Sequence, residues 1–539
     1  MLMLYWRTFY VGFVLLIILI ALERLKYRRL APAIAALIIC GWLVIFSKPE
    51  VQAIFGTTDP SIIMGIYVSR AYRTEDKEIR FYYMMDMENN NEIQYLDGSE
   101  WRPLLSRCIC PIATWVSQCT VEGHLGIASF TRSHNAEVLK IRTRYTAQPY
   151  LIPLEDARIQ HNHTYAHELG VCLQPVYFHA DWTAYAQYLE FWTAAGATKF
   201  YLYIHSASPK VRLLLSQYKR VFGKKLEIVD WSDLPVQERY KGDFYADPNT
   251  RIFSAGGHTA LNECILRARS HVKFLAVADL DEVFHVATRN SVVKTLRELD
   301  RQHPKAAQFA FNWVYVQDES NTRNVTRVSE IDFTSLASLR RPKSENIIHD
   351  YVVMKKLIHR PERVVMSDVH LTLVNDLIKR RSHSPEIRFD TSITAYPWNI
   401  PAINERYQEV KVNESYGAML HVRRFDPLST VEVPYDRSSF RSIAVLSEKM
   451  TRQWKLRLTS GQIPEFEMGN WYPTFEQTMR DLENCRVYPF NVMLRIGKGL
   501  CRALVNCEPM LTVREAYKKA DQIWTNVAHR GRYIAYVKA

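Results

Sequence analysis

Three acids, Asp279, Asp281 and Glu282, fall within four positions directly after an apolar run, so that residues 274–284 read FLAVADLDEVF. With Val272 upstream, the run Phe274, Leu275, Ala276, Val277 and Ala278 has the length and composition of a short buried strand. Carboxylates clustered at the end of such a strand are costly to desolvate unless a positive charge joins them. A divalent cation is the simplest partner. Hard oxygen ligands suit Mg²⁺ or Mn²⁺, which in turn hold the diphosphate of a nucleotide. On this reading Asp281 is the direct metal ligand and Asp279 reaches the ribose or a metal-bound water. Glu282 either completes the outer shell or anchors the following turn. An acidic surface turn would carry the same letters, so the surrounding elements decide.

From about residue 168 the pattern alternates between strand and helix. GVCLQPVYF (170–178) reads as a strand, and DWTAYAQYLEFWTAAG (181–196) as a helix with Asp181 at its N-cap and Gly196 at its end. KFYLYIHSA (199–207) and KLEIVDW (225–231) are further strands, separated by the helical VRLLLSQYKRVFG. HTALNECILRARSH (258–271) is a helix that leads into the acid-bearing strand, and VVKTLRELDRQ (helix) and AAQFAFNWVYV (strand) follow it. This order predicts an α/β domain, a mostly parallel sheet flanked by helices, over residues 166–430. Ligands bind such sheets at the carboxyl ends of the strands, where Asp279 and Asp281 fall. Residues 61–165 read instead as short alternating strands separated by turn signals such as Asn89-Asn90-Asn91 and Asp97-Gly98, a small β-rich domain. Residues 431–539 form a C-terminal extension in which QTMRDLENC and VREAYKKADQIWTNVA read as amphipathic helices.

The composition is that of a folded protein, with 47% hydrophobic and 23% charged residues, which excludes a largely disordered chain. The net charge of +13 is scattered among acids, and no basic run interleaved with aromatics suggests a nucleic-acid partner. Two apolar stretches open the chain, residues 8–22 and 30–47, on either side of the basic RLKYRR segment. At 1.5 Å per residue the second is roughly 27 Å long, near the thickness of a bilayer core, and the first only about 22 Å. The positive-inside rule leaves the basic segment in the cytosol. Residues 30–47 are then the signal anchor, residues 1–29 hold the cytosolic and first apolar segment (with a second span possible), and residues 48–60 form a stem. Everything beyond is lumenal. Sequons at Asn162, Asn324 and Asn413 all follow the anchor, as do eight of the nine cysteines. Those eight lack the paired spacing of a zinc site and are expected to form disulfides.

Five ordered blocks give the chain a wider resemblance: ELGVCLQPVYF, YLEFWTAAGATKFYLYIHSAS, ALNECILRARSHVKFLAVADLDEVF, KKLIHRPERVVMSDVHL and AMLHVRR. Over residues 165–430 it resembles glycosyltransferase family 92, whose fold is the nucleotide-sugar-binding GT-A type. VSRAYRTEDKEIRFYY extends the likeness weakly into the β-rich region. The resemblance implies a type II Golgi membrane enzyme, a β-galactosyltransferase that moves galactose from UDP-galactose onto a glycan or glycoprotein acceptor with inversion. It also implies Mn²⁺, or Mg²⁺, as cofactor. A metal site of this sort takes a downstream histidine, for which His370 and His421 are the candidates. The family shows an aromatic between the histidine and arginine of the last block, where this chain has Val422. Lys356, Arg360, Arg363, Arg423 and Arg424 are the basic residues near the donor; Lys356 and Arg423 are the leading candidates, Arg423 because a guanidinium grips phosphate through two nitrogens. Inversion needs a general base, for which Asp318, Glu319 and Asp368 are the candidates. Trp313, Tyr315 and Trp398 are aromatics that could stack on a sugar.

Two rival readings share these residues. A HAD-type phosphatase also opens with an apolar strand and Asp-x-Asp-x-Val, its first aspartate a covalent nucleophile. No later Asp-Asp or Gly-Asp pair follows residue 283 to serve it. A non-catalytic, membrane-anchored glycan-binding protein could keep the transferase fold, and donor hydrolysis separates it from an enzyme. The identity of the sugar, the acceptor, the linkage and the oligomeric state are not written in these motifs.

Overall fold

The computed structural model describes residues 64–86, 93–109, 119–143, 149–160, 162–236, 238–243, 246–287, 291–318, 322–342, 355–370, 372–376, 406–423, 435–437, 441–485, 501, 503–521, 524–527 and 533–538. Both N-terminal apolar stretches lie outside this set, and no described helix is long and apolar enough to cross a membrane.

The first part is a curled sheet of eight strands: β1 (Met64–Glu75), β2 (Glu78–Asp86), β3 (Ile93–Asp97), β4 (Glu100–Pro103), β5 (Leu105–Cys108), β6 (Val121–Ser129), β7 (Val138–Thr143) and β8 (Tyr150–Asp156). They are ordered β4-β3-β7-β8-β1-β2-β6-β5. Alternate residues of β2, including Ile79, Phe81, Tyr83 and Met85, pack inward on Leu139, Ile141 and Ile152.

The second part begins with β9 (His167–Val176), α1 (Trp182–Ala195), β10 (Lys199–Ile204), β11 (Ser206–Ala207), α2 (Pro209–Phe222), β12 (Leu226–Asp230), α3 (Gly257–Ala268) and β13 (Val272–Val277). It continues through β14 (Glu282–Val286), α4 (Val292–Gln302), β15 (Ala306–Gln317), β16 (Arg340–Pro342), β17 (Lys355–His359), β18 (Val364–Ser367), β19 (Thr372–Asn375), β20 (Gln408–Lys411), β21 (Gly417–Arg423) and β22 (Tyr435–Arg437). α1 starts where expected: the Asp181 carboxylate accepts the Ala184 N–H at 3.1 Å, and Gly196 ends the helix in the left-handed region at φ 105°. Its surface is apolar nearly all round, and it is buried nearly all round, as such a helix must be.

β12, β10, β9 and β13 lie side by side, all parallel. The expected mostly parallel sheet is therefore present over these four strands, but the whole sheet is mixed. β17 inserts antiparallel between β13 and β15, which are joined through α4 and run in the same direction. Parallel neighbours need a crossover helix between them, and the regular strand–helix alternation stops after α4 among the described residues. Phe274 and Ala276 of β13 face the α1 side, while Leu275 and Val277 face Leu261, Cys264 and Ile265 of α3. The opposite face of α3 meets the N-terminal sheet, where a side chain in place of Gly123 would collide with Thr259. One helix thus serves both sheets.

α5 (Arg441–Thr459) packs Leu446, Met450 and Trp454 into the core that holds α1. α6 (Tyr472–Cys485) and α7 (Leu504–Cys507) follow. The helix expected over residues 513–528 is absent from its described part, which forms a short 3-10 turn and then β23 (Lys518–Lys519) and β24 (Trp524–Val527). Tertiary pairing overrides the local pattern here: β23 joins β11, and the Lys519 ammonium bonds Asp233 at 2.6 Å and also Glu508. β25 (Tyr533–Lys538) then adds to the N-terminal sheet, parallel to β1. Disulfides join Cys119 to Cys501, Cys172 to Cys264 and Cys485 to Cys507.

Candidate functional site

β13 ends at Val277 on the carboxyl edge of the parallel strands, and the chain turns through Asp279-Leu280-Asp281 into β14. The turn is closed on itself. The Glu282 N–H donates to the Asp279 carbonyl at 3.1 Å, and the Asp279 N–H donates to Glu282 Oε2 at 2.9 Å. β21 fastens it from the other side, pairing His421 with Glu282 across the antiparallel ladder and donating the Val422 N–H to the Asp281 carbonyl at 2.6 Å. Gly417 permits this approach, because a Cβ there would collide with the His285 carbonyl oxygen.

Glu282 anchors the turn. Its side chain has no exposed surface; it accepts the Trp313 indole N–H at 2.8 Å and pairs with Lys356 at 3.0 Å. Burial alone would push its pKa up. The Lys356 ammonium, the His421 imidazole and the Asp279 N–H outweigh burial and hold the carboxyl at about 2. Lys356 is itself buried and lies between two acids, reaching Asp279 Oδ2 at 2.9 Å. Burial would lower its pKa, but Asp279 and Glu282 raise it well above the usual lysine value.

The side chains of Asp281 and His421 converge, with Nε2 3.2 Å from Oδ2. Trp313 meets the His421 ring edge-on at 4.6 Å and the His370 ring at 6.3 Å. His370 is fixed by a 2.8 Å bond between its Nδ1 and the Lys355 carbonyl. Among the described residues no three His, Cys, Asp or Glu side chains converge as a ready metal cage. An aspartate oxygen and a histidine nitrogen side by side suit a divalent ion that takes its other ligands from substrate phosphates and water. The donor set fits a metal of that kind, and Lys356 balances the acids that do not reach it.

The remaining candidates are spread more widely. Asp318 follows β15 and is buried at 2% exposure, whereas the Asp368 side chain keeps 16% of its surface in the loop between β18 and β19. Arg360 pairs with Asp300 and Glu362, and Arg363 donates to the Pro304 and Ala306 carbonyls, so both bind the strand ends together. Arg423 closes β21 opposite Gln317, and Tyr315 pairs with His421 along the backbone. The side chains of Arg423 and Tyr315 lie outside the described residues, as do Glu319, Arg424 and Trp398 entirely. Asn162, Asn324 and Asn413 are exposed.

Two residues that sequence reasoning passed over sit beside Asp368. Asn262 holds the Ser367 backbone from both sides, with 2.8 Å bonds to its N–H and its carbonyl. His258, one turn earlier on α3, brings Nε2 to 3.6 Å from Asp368 Oδ2. Their i, i+4 spacing on a helix that feeds the acid-bearing strand was the available signal. Further along the same sheet edge, a small pocket of about 20 Å³ is lined by His205, Asp233, Asn249 and Ile252 and by Leu504 and Val505 of the C-terminal segment.

The model of the family described as Glycosyltransferase family 92 matches residues 167–460. Two Caenorhabditis elegans proteins, each described as a glycosyltransferase family 92 protein, are similar to the chain. One is 23% identical over 251 residues, which span 46% of this chain and 46% of the relative. The other is 20% identical over 420 residues, spanning 74% of this chain and 71% of the relative. The chain therefore spans about half the length of the first and more of the second. A solved UDP-glucose pyrophosphorylase in complex with UDP-glucose matches 54% of this chain and 99% of its own at 10% identity, with a TM-score of 0.18 that carries no structural argument.

Proposed function

The chain belongs to glycosyltransferase family 92, and from that premise we propose that it is a metal-dependent inverting glycosyltransferase, with UDP-galactose as donor and a glycan as acceptor. The observation that carries the reading is the acidic turn at the carboxyl end of β13, where Asp281 and His421 converge at 3.2 Å. These two residues would hold Mn²⁺ or Mg²⁺, which when bound neutralises charge on the departing diphosphate. Asp279 keeps 42% of its side-chain surface exposed and would be available to the ribose or to a metal-bound water. Glu282 and Lys356 keep the turn rigid, so that the acids meet the donor without rearranging.

Of the candidate bases among the described residues, Asp318 and Asp368, Asp368 has the accessible carboxylate. It takes the proton from the acceptor hydroxyl as that oxygen bonds to the sugar carbon, while the electron pair of the breaking sugar–phosphate bond leaves with UDP. The same reading makes residues 30–47 the anchor and residues 48–539 lumenal in the Golgi. Glycans on Asn162, Asn324 and Asn413, seen as a mobility shift removed by glycosidase, test that placement.

The deciding experiment is UDP release by the detergent-solubilised full chain against a panel of UDP-sugars, with Mn²⁺, with EDTA and with Asp281→Ala. Turnover of UDP-galactose that needs the metal and disappears in the variant is expected. Turnover unaffected by either EDTA or the substitution would overturn the metal–diphosphate reading. Metal-dependent nucleotide binding without turnover in the presence of candidate acceptors would favour a glycan-binding protein on a transferase fold.

A further inference from the structure

The loop after β18 is held more firmly than its place between two short strands requires. Asn262 clamps the Ser367 backbone through both of its polar atoms, and Ser367 Oγ donates to the Asp368 carbonyl at 2.9 Å. His370 ties the loop to the Lys355 carbonyl, next to the lysine that joins Asp279 and Glu282. These bonds fix the backbone without any help from His258.

His258 does something the clamp does not. It stands on the first turn of α3 with its ring stacked on Phe253 at 5.8 Å, and it presents Nε2 to the Asp368 carboxylate from 3.6 Å. Its side chain keeps 15% of its surface, close to the 16% of Asp368, so neither group is sealed from solvent. A contact just beyond hydrogen-bond range, between two part-exposed groups, is the geometry that tightens once a substrate is bound. The pair lies near the candidate donor site, since His370, two residues after Asp368, faces Trp313, which also meets His421.

We propose that His258 is a positioning residue for sugar transfer, orienting the Asp368 carboxylate toward the acceptor hydroxyl. The inference rests on the reading of Asp368 as the base. Burial, with the nearby His370, lowers the His258 pKa, although Asp368 opposes the shift. An imidazole N–H presented at that position steadies the carboxylate and sets the direction in which it faces the acceptor.

The test compares His258→Phe, His258→Gln, Asp368→Asn and Asp281→Ala in the full chain, under saturating donor, Mn²⁺ and acceptor. His258→Phe is expected to lower kcat by about 10²-fold, the scale of a misplaced reacting group, with the KM for UDP-sugar unchanged. His258→Gln keeps an N–H near the Nε2 position and should restore most of the rate. Asp368→Asn should abolish transfer while leaving Mn²⁺-dependent UDP binding intact. If Asp368→Asn is inactive but His258→Phe turns over normally, the positioning role is wrong and the base reading stands. If Asp368→Asn is fully active, both fall. Equal losses in the Phe and Gln variants, accompanied by a lower melting temperature, would mark His258 as structural and overturn the proposal.

Discussion

Glu282 and Lys356 govern the site more than the two aspartates that draw the eye in the sequence. Each is buried and ionised, and each is tolerable only because the other is present, with Asp279 and the Trp313 indole completing the set. Lys356→Met leaves a fully buried carboxylate without its cation and should cost about 3–5 kcal/mol, read from urea unfolding. A loss below about 1 kcal/mol would mean that the Trp313 and Asp279 N–H groups suffice for Glu282. The apolar run Phe274–Leu275–Ala276–Val277 and the acids behind it made this turn legible. Lys356, met in sequence as a possible phosphate grip, gave no sign that its partners are two acids some 75 positions earlier, because ion pairing across a sheet leaves no local spacing.

At the scale of elements, α3 and β17 decide how the site is held. α3 buries one face on the parallel strands and the other on the N-terminal sheet, and it carries His258 and Asn262 to the loop after β18. β17 runs between β13 and β15, putting Lys356 beside the acids and the fully buried His359 opposite Leu275 and Gln308. Burial pushes the His359 pKa down from 6.5 to about 3. The unfolded chain takes up that proton below pH 6.5 and the folded one only near pH 3, so this share of the stability is complete above 6.5 and falls as the pH drops toward 3. Unfolding midpoints at pH 7, 5.5 and 4.5 should show His359→Leu with a shallower acid-side loss than the parent. Equal slopes would assign that loss to other groups. The period-2 and period-3.6 patterns made most of these elements legible, from Asp181 capping α1 to the break after Val277. The insertion of β17 was not, since strand order depends on which edges remain free once the crossovers are made.

For the whole molecule, the two sheets and the C-terminal segment are bound into one body by long-range links. The Cys119–Cys501 bridge joins the N-terminal unit to the segment that lines the cavity, and β25 pairs with β1. Cross-sheet bonds such as Tyr72 to Glu263 at 2.6 Å add to them. Cys501→Ser should lower stability by on the order of 2–5 kcal/mol, since the C-terminal segment would lose its tether to the N-terminal unit. A variant with an unchanged melting temperature would show that the segment is held by its other contacts, such as the β25–β1 pairing.

The sequence by itself determined the α/β alternation, the acid-bearing strand end, the likeness to glycosyltransferase family 92 and the readiness of the cysteines to pair, because each is carried by neighbours in the chain or by side-chain type. Only the tertiary structure decided that His421 meets Asp281, that Lys356 is held between acids, that His258 faces Asp368, and that residues after 513 form strands where a helix was expected. Those contacts join residues far apart in the chain. Which of the many possible partners meets which is set by the packing of sheet edges and helix faces, and local spacing does not record it.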